Sequence, residues 1–161
     1  MIGLNGTSRL LKALADETRL RILNLLAEEE LSTSDFTEIL NMGQSRVSTH
    51  LALLKEVGLV QDRRHGRRSL YGIVPGTAAT IAEPALKQAR QSPEFEADMA
   101  GLEALRDRRR EDARAYFDRV AADFSEQPLP GRTWEGLARG LLQLAPRGRY
   151  VDLGVGDGLL T

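Results

Sequence analysis

The stretch 44–54, QSRVSTHLALL, constrains what this chain can fold into more than any other. Val47, Leu51 and Leu54 recur at spacings of four and three, which gives a helix with one apolar edge. The other edge presents Gln44, Ser45, Arg46, Ser48 and Thr49, groups able to hydrogen-bond base edges and phosphates. A helix N-terminus adds free N–H groups that attract phosphate. Upstream, residues 34–40 read as a shorter helix, and Asn41-Met42-Gly43 as a turn tolerant of capping and left-handed geometry. Beyond Gly58, the runs 59–64 and 67–74 alternate on either side of His65-Gly66 and read as two strands. A helix-turn-helix followed by a β-hairpin wing predicts double-stranded DNA as the partner.

Charge agrees, but only locally. A chain of 161 residues with a formal net charge of −1 has no global cation excess for a polyanion. Between Gln44 and Gly76, however, Arg46, Lys55, Arg63, Arg64, Arg67 and Arg68 face only Glu56 and Asp62, six minus two, a local excess of four. Arg63, Arg64, Arg67 and Arg68 flank the hairpin tip, which favours phosphate or minor-groove contact over plain solvated surface. The run Glu28-Glu29-Glu30 is expected on the other side of the motif. His50 stands one residue before a core leucine and has two readings: a donor to phosphate or base, or a partly buried packing residue, the second being favoured.

The segments LADETRLRILNLL (14–26), EL (30–31), QSRVSTHLALLKEVGLV (44–60) and RRHGRRSLY (63–71) follow in order over about residues 9–75. Together they resemble the arsenical-repressor (ArsR/SmtB) family of winged helix-turn-helix regulators. The resemblance implies a mainly α fold with a small β-hairpin wing, and a transcriptional repressor that binds operator DNA as a homodimer. A dimer also follows from physics, since one short recognition helix reads few bases. Two departures matter. Metal-sensing members carry cysteines in an E-L-C-x-C-D-L-like run, whereas Glu30-Leu31-Ser32-Thr33-Ser34-Asp35-Phe36 has serine at both thiolate positions. Hydroxyls do not replace thiolates for soft metals, the chain has no cysteine, and His50 and His65 are its only histidines, so no metal site is expected. Gly43 stands where the family often has serine or threonine, which removes a side-chain cap from the recognition helix.

The remainder of the chain is organised around this motif. Residues 8–15 form a short amphipathic helix through Leu10, Leu11 and Leu14. Asp16 is set to cap a helix over 17–27 with Leu20, Leu23, Leu26 and Ala27 on one side. Phe36, Val47, Leu51 and Leu59 contribute to one small core, placing a winged domain over 8–76. Residues 77–90 read as a helix that Pro84 either kinks or restarts. Ser92-Pro93-Glu94 supplies a cap, a first-turn proline and an acid, and the helix it opens runs to about Phe124. Apolar residues on that helix, Leu102 and Leu105 among them, are expected to need a partner, either the same helix of a second copy in a dimer seam or a following domain, so 77–126 is assigned to dimerisation or connection. No apolar run approaches the ~20 residues of a spanning helix and no signal-peptide core opens the chain, so a cytoplasmic protein without a membrane partner is expected.

Residues 127–133 read as a linker, 134–144 as one more amphipathic helix, and 149–161 as a strand entering a G-x-G-x-G loop. This loop looks like motif I of class I S-adenosylmethionine-dependent methyltransferases. By that resemblance Asp152, Gly154, Gly156 and Gly158 would hold the cofactor. The chain stops before the second strand whose acid would hold the ribose. No cofactor and no enzymatic activity are therefore expected of this chain, with S-adenosylmethionine left to a longer parent. The first strand of an incomplete α/β domain is the reading of 127–161. Two others stand beside it: a methyltransferase with an accessory winged helix, and a tail kept for dimerisation with incidental glycines.

Overall fold

The computed structural model describes residues 3–126. Their elements run α1 (Leu4–Leu14), α2 (Glu17–Glu28), β1 (Leu31–Ser32), α3 (Thr33–Ile39), α4 (Gln44–Glu56), β2 (Val60–His65), β3 (Arg68–Ile73), α5 (Thr77–Ala89) and α6 (Pro93–Glu126). The expected linker, last helix and glycine loop, with Asp152, Gly154, Gly156 and Gly158, lie outside the described residues. The chain divides into two compact units, 1–108 and 109–161. No described helix is long and apolar enough to cross a membrane.

Local chemistry sets the helix starts of the first unit. Asp16 is extended and its carboxylate accepts from the Arg19 N–H at 3.0 Å, capping α2. Ser32 and Asp35 form a capping box on α3, with the Ser32 N–H donating to Asp35 Oδ2 at 2.7 Å. Ser92 Oγ accepts from the Phe95 N–H at 3.2 Å ahead of Pro93, the start signal read from the sequence. In the turn between α3 and α4 it is Asn41 that takes the left-handed conformation, at φ 50°, while Gly43 is an ordinary extended cap residue. Pro84 neither breaks nor restarts α5, which is one helix around it.

The wing is part of a three-stranded antiparallel sheet in the order β1-β3-β2. Its hairpin pairs Val60 with Ile73 through His65 with Arg68, and Gly66 turns the tip at φ 60°. β1 was not expected. Two residues, Leu31 opposite Tyr71 and Ser32 opposite Leu70, are too few for alternation to show in a sequence.

One hydrophobic core fills this unit, with Phe36, Leu31, Ile22, Leu25, Val47 and Leu54 at 0% exposure. Helix α2 is covered by α1, α4, α5 and β3, so it buries Ile22 through Leu26 in succession, while Ala27 is exposed. Buried Asn24 is satisfied there by the Leu86 carbonyl (3.4 Å) and Arg90 Nε (3.0 Å).

The start of α6 belongs to this core as well. Leu102 and Leu105 are 1% and 5% exposed among the residues of their own chain, which overturns their expected place in a seam between copies. Periodicity reports that a helix face is covered but not by what. Asp98, 3% exposed at its side chain, is held by Arg21 through bonds of 2.8 and 2.6 Å. This pairing raises the Arg21 pKa, with the hydrogen bond donated to Asp98 as its largest cause. Gly101 packs so closely on α3 that a Cβ there would lie 3.3 Å from Ile39 Cγ2. Arg106 reaches Glu29 at 3.5 Å, and Arg108 bonds Glu38. In the second unit the exposed rings of Tyr116 and Phe117 meet edge to face at 5.8 Å.

Candidate nucleic-acid interface

Helix α4 buries Val47, Leu51 and Leu54 and exposes Gln44, Ser45, Arg46, Ser48 and Thr49. Burial of the apolar edge therefore fixes which polar groups face outward. Gly43 gives no side-chain cap to this 13-residue helix, and in its first turn the Arg46 N–H donates to the Gly43 carbonyl at 3.0 Å. The Thr49 hydroxyl donates back to the Ser45 carbonyl at 2.9 Å, leaving its lone pairs outward as acceptors. His50 turns the other way. Its side chain is 17% exposed and Nδ1 lies 3.7 Å from Asp16 Oδ1, at the cap of α2. The packing reading of His50 is the one this geometry favours.

The structure sorts the six cations of the motif. Lys55, in the last turn of α4, bonds Asp62 of β2, which holds the Asp62 pKa below and the Lys55 pKa above their ordinary values. Arg63 pairs with Glu30, its Nε 2.9 Å from Oε2 and 3.0 Å from Oε1. That hydrogen bonding is the main cause of a lowered Glu30 pKa and a raised Arg63 pKa. Arg46, Arg64, Arg67 and Arg68 are exposed, with no carboxylate partner among the described residues. Six less Lys55 and Arg63 leaves four cations without a carboxylate partner among the described residues, while Glu56, counted against them in the sequence, pairs with Arg9 instead.

Strand alternation divides those cations by face. Val60, Asp62 and Arg64 share the face of β2 that meets the core and α4, while Gln61, Arg63 and His65 share the opposite one. Arg64 is thus on the recognition-helix side, Arg67 at the tip, and Arg68, opposite His65, on the other face. The acidic run is not remote from the motif as expected, because its last member, Glu30, immediately precedes β1 and reaches the wing. Sequence reading missed both Glu30 and its enabler, Gly72, although a lone glycine in a strand does signal close approach by another group. Ser32 and Ser34 hydroxyls lie 2.8 Å apart at the start of α3, with Ser32 committed to the capping box. Among the described residues no cluster of three His, Cys, Asp or Glu is placed to hold a metal ion.

Residues 16–62 match the family model for bacterial regulatory proteins of the arsR family. The arsenical resistance operon repressor of Escherichia coli (strain K12) is 44% identical over 81 residues, covering 48% of this chain and 69% of that protein. The transcriptional activator HlyU of Vibrio cholerae is 44% identical over 62 residues, 38% of this chain and 57% of its own length. A solution structure from Mycobacterium bovis, a homodimeric winged helix-turn-helix DNA-binding domain of a possible ArsR-family regulator, superposes with TM-score 0.50 at 34% identity. It covers 57% of this chain and 85% of that one.

Proposed function

The chain belongs to the arsR family of bacterial regulatory proteins, and on that premise we propose that it is a sequence-specific DNA-binding transcriptional regulator, acting as a cytoplasmic repressor and as a homodimer. The observation that carries this is a set of four exposed arginines without a carboxylate partner among the described residues, Arg46 on the polar edge of α4 and Arg64, Arg67 and Arg68 on the wing. Gln44, Ser45, Arg46, Ser48 and Thr49 read the major groove; Arg64, Arg67 and Arg68 hold phosphates or a flanking minor groove. The repressors among the relatives support the sign of regulation. Dimerisation through α1 is supported by Leu4 and Leu11, which are 91% and 52% exposed on it.

A duplex selected from a random library, titrated at two salt concentrations, tests the reading. Arg46→Ala is expected to cost about 1–3 kcal/mol on the selected site and to relax preference at one position. Equal affinity of the unmodified protein for all duplexes would refute sequence-specific binding.

A thiophilic metal is not the signal in this reading. Serine stands at both thiolate positions, and Ser32 is engaged in capping α3. Zinc or arsenite at micromolar concentration is expected to leave the protein–DNA complex intact in a mobility shift; specific release would overturn this.

A further inference from the structure

We propose that Glu30 is a positioning residue of the DNA interface: by holding Arg63 across Gly72 it sets where the wing sits, and Arg63 itself does not touch DNA. The inference rests on the DNA-binding reading above. Three bonds join the pair, Arg63 Nε to both oxygens of Glu30 at 3.0 and 2.9 Å and Nη2 to Oε2. Strand register explains how they meet. Arg63 lies opposite Leu70 and Gln61 opposite Gly72, on the sheet face turned away from α4. Leu31 and Ser32 lie opposite Tyr71 and Leu70, so one step further out in register brings Glu30 beside Gly72. A Cβ on Gly72 would lie 3.3 Å from Glu30 Cγ and 3.4 Å from Oε1. A side chain at 72 would crowd the Glu30 carboxylate where it crosses β3 to reach β2.

The neighbouring residue ties the other face. Asp62 is bonded to Lys55 at the end of α4. Consecutive residues of β2 are thus anchored from both sides, Asp62 to the recognition helix and Arg63 to the segment ahead of β1. Beyond these ties the hairpin is two-stranded, and such a ribbon holds its own direction poorly in water. The anchors therefore decide where Arg64, Arg67 and Arg68 are carried. An exposed bidentate Arg–carboxylate pair contributes little energy but strong geometry, which suits positioning.

The alternative, an acid that merely screens a phosphate-binding Arg63, makes the opposite prediction. Screening requires Glu30→Gln to raise affinity and steepen the salt dependence, because a cation is released to the DNA. Positioning requires Glu30→Gln to lower affinity, about three- to tenfold, with the salt slope unchanged. The double variant Glu30→Arg with Arg63→Glu rebuilds the pair with its polarity reversed. It is expected to bind within about twofold of the unmodified chain, whereas an acid at a phosphate contact would cost more than about tenfold. Gly72→Ala, which crowds the crossing, is expected to behave like Glu30→Gln. Fluorescence anisotropy of the full chain on its selected duplex at two salt concentrations reads all four proteins, with thermal melting to show that each is folded. Tighter binding by Glu30→Gln, or a folded swap variant that has lost binding, overturns the positioning role. Failure of the unmodified chain to bind any duplex overturns the DNA-binding reading instead.

Discussion

Replacing Arg64, Arg67 and Arg68 together by alanine is expected to lower affinity for the selected duplex about a hundredfold, at about 1 kcal/mol for each lost phosphate contact. The slope of log affinity against log salt is expected to flatten by about 2.7, since each phosphate neutralised on B-DNA contributes about 0.9. These three are chosen because they are exposed and have no carboxylate partner among the described residues. Stability should hardly change, because no described ion pair is lost. All sequences should weaken alike, in contrast to Arg46→Ala, because phosphates carry no sequence information. An unchanged salt slope in the triple variant would show that the wing does not lie on DNA.

The largest effect on stability is expected where the start of α6 meets α2. Arg21→Ala removes the partner of Asp98, whose side chain is only 3% exposed and whose two oxygens both accept from that guanidinium. A carboxylate left buried and unpaired costs about 3–5 kcal/mol, which urea denaturation of the chain would read as a lower midpoint at constant slope. The double variant Arg21→Met with Asp98→Leu separates this penalty from the worth of the pair itself, and is expected to recover most of the loss. A loss below about 1 kcal/mol in Arg21→Ala would mean that water reaches Asp98 and that the start of α6 is less firmly seated than its burial indicates.

Much of the winged domain was legible because its signals are local. Val47, Leu51 and Leu54 at helical spacing, the Asp16 and Ser92 caps, and the alternation about His65-Gly66 each act within a few residues, and each formed the element it predicts. The exposed edge of α4 follows from the same periodicity, since burying one edge leaves the other outside. What escaped the sequence depends on groups brought together from far apart. Leu102 and Leu105 had the pattern of a covered face, but only packing showed that their own chain covers them. Glu30 and Arg63 are 33 residues apart, and Asp98 and Arg21 are 77 apart. No local rule pairs such residues, because their meeting depends on sheet register and on how α6 lies against α2 and α3. The charge excess of the motif was thus determined by the amino-acid sequence alone. Which four arginines carry it was decided by the tertiary structure, since ion pairing is set by distance in space and a sequence records only distance along the chain.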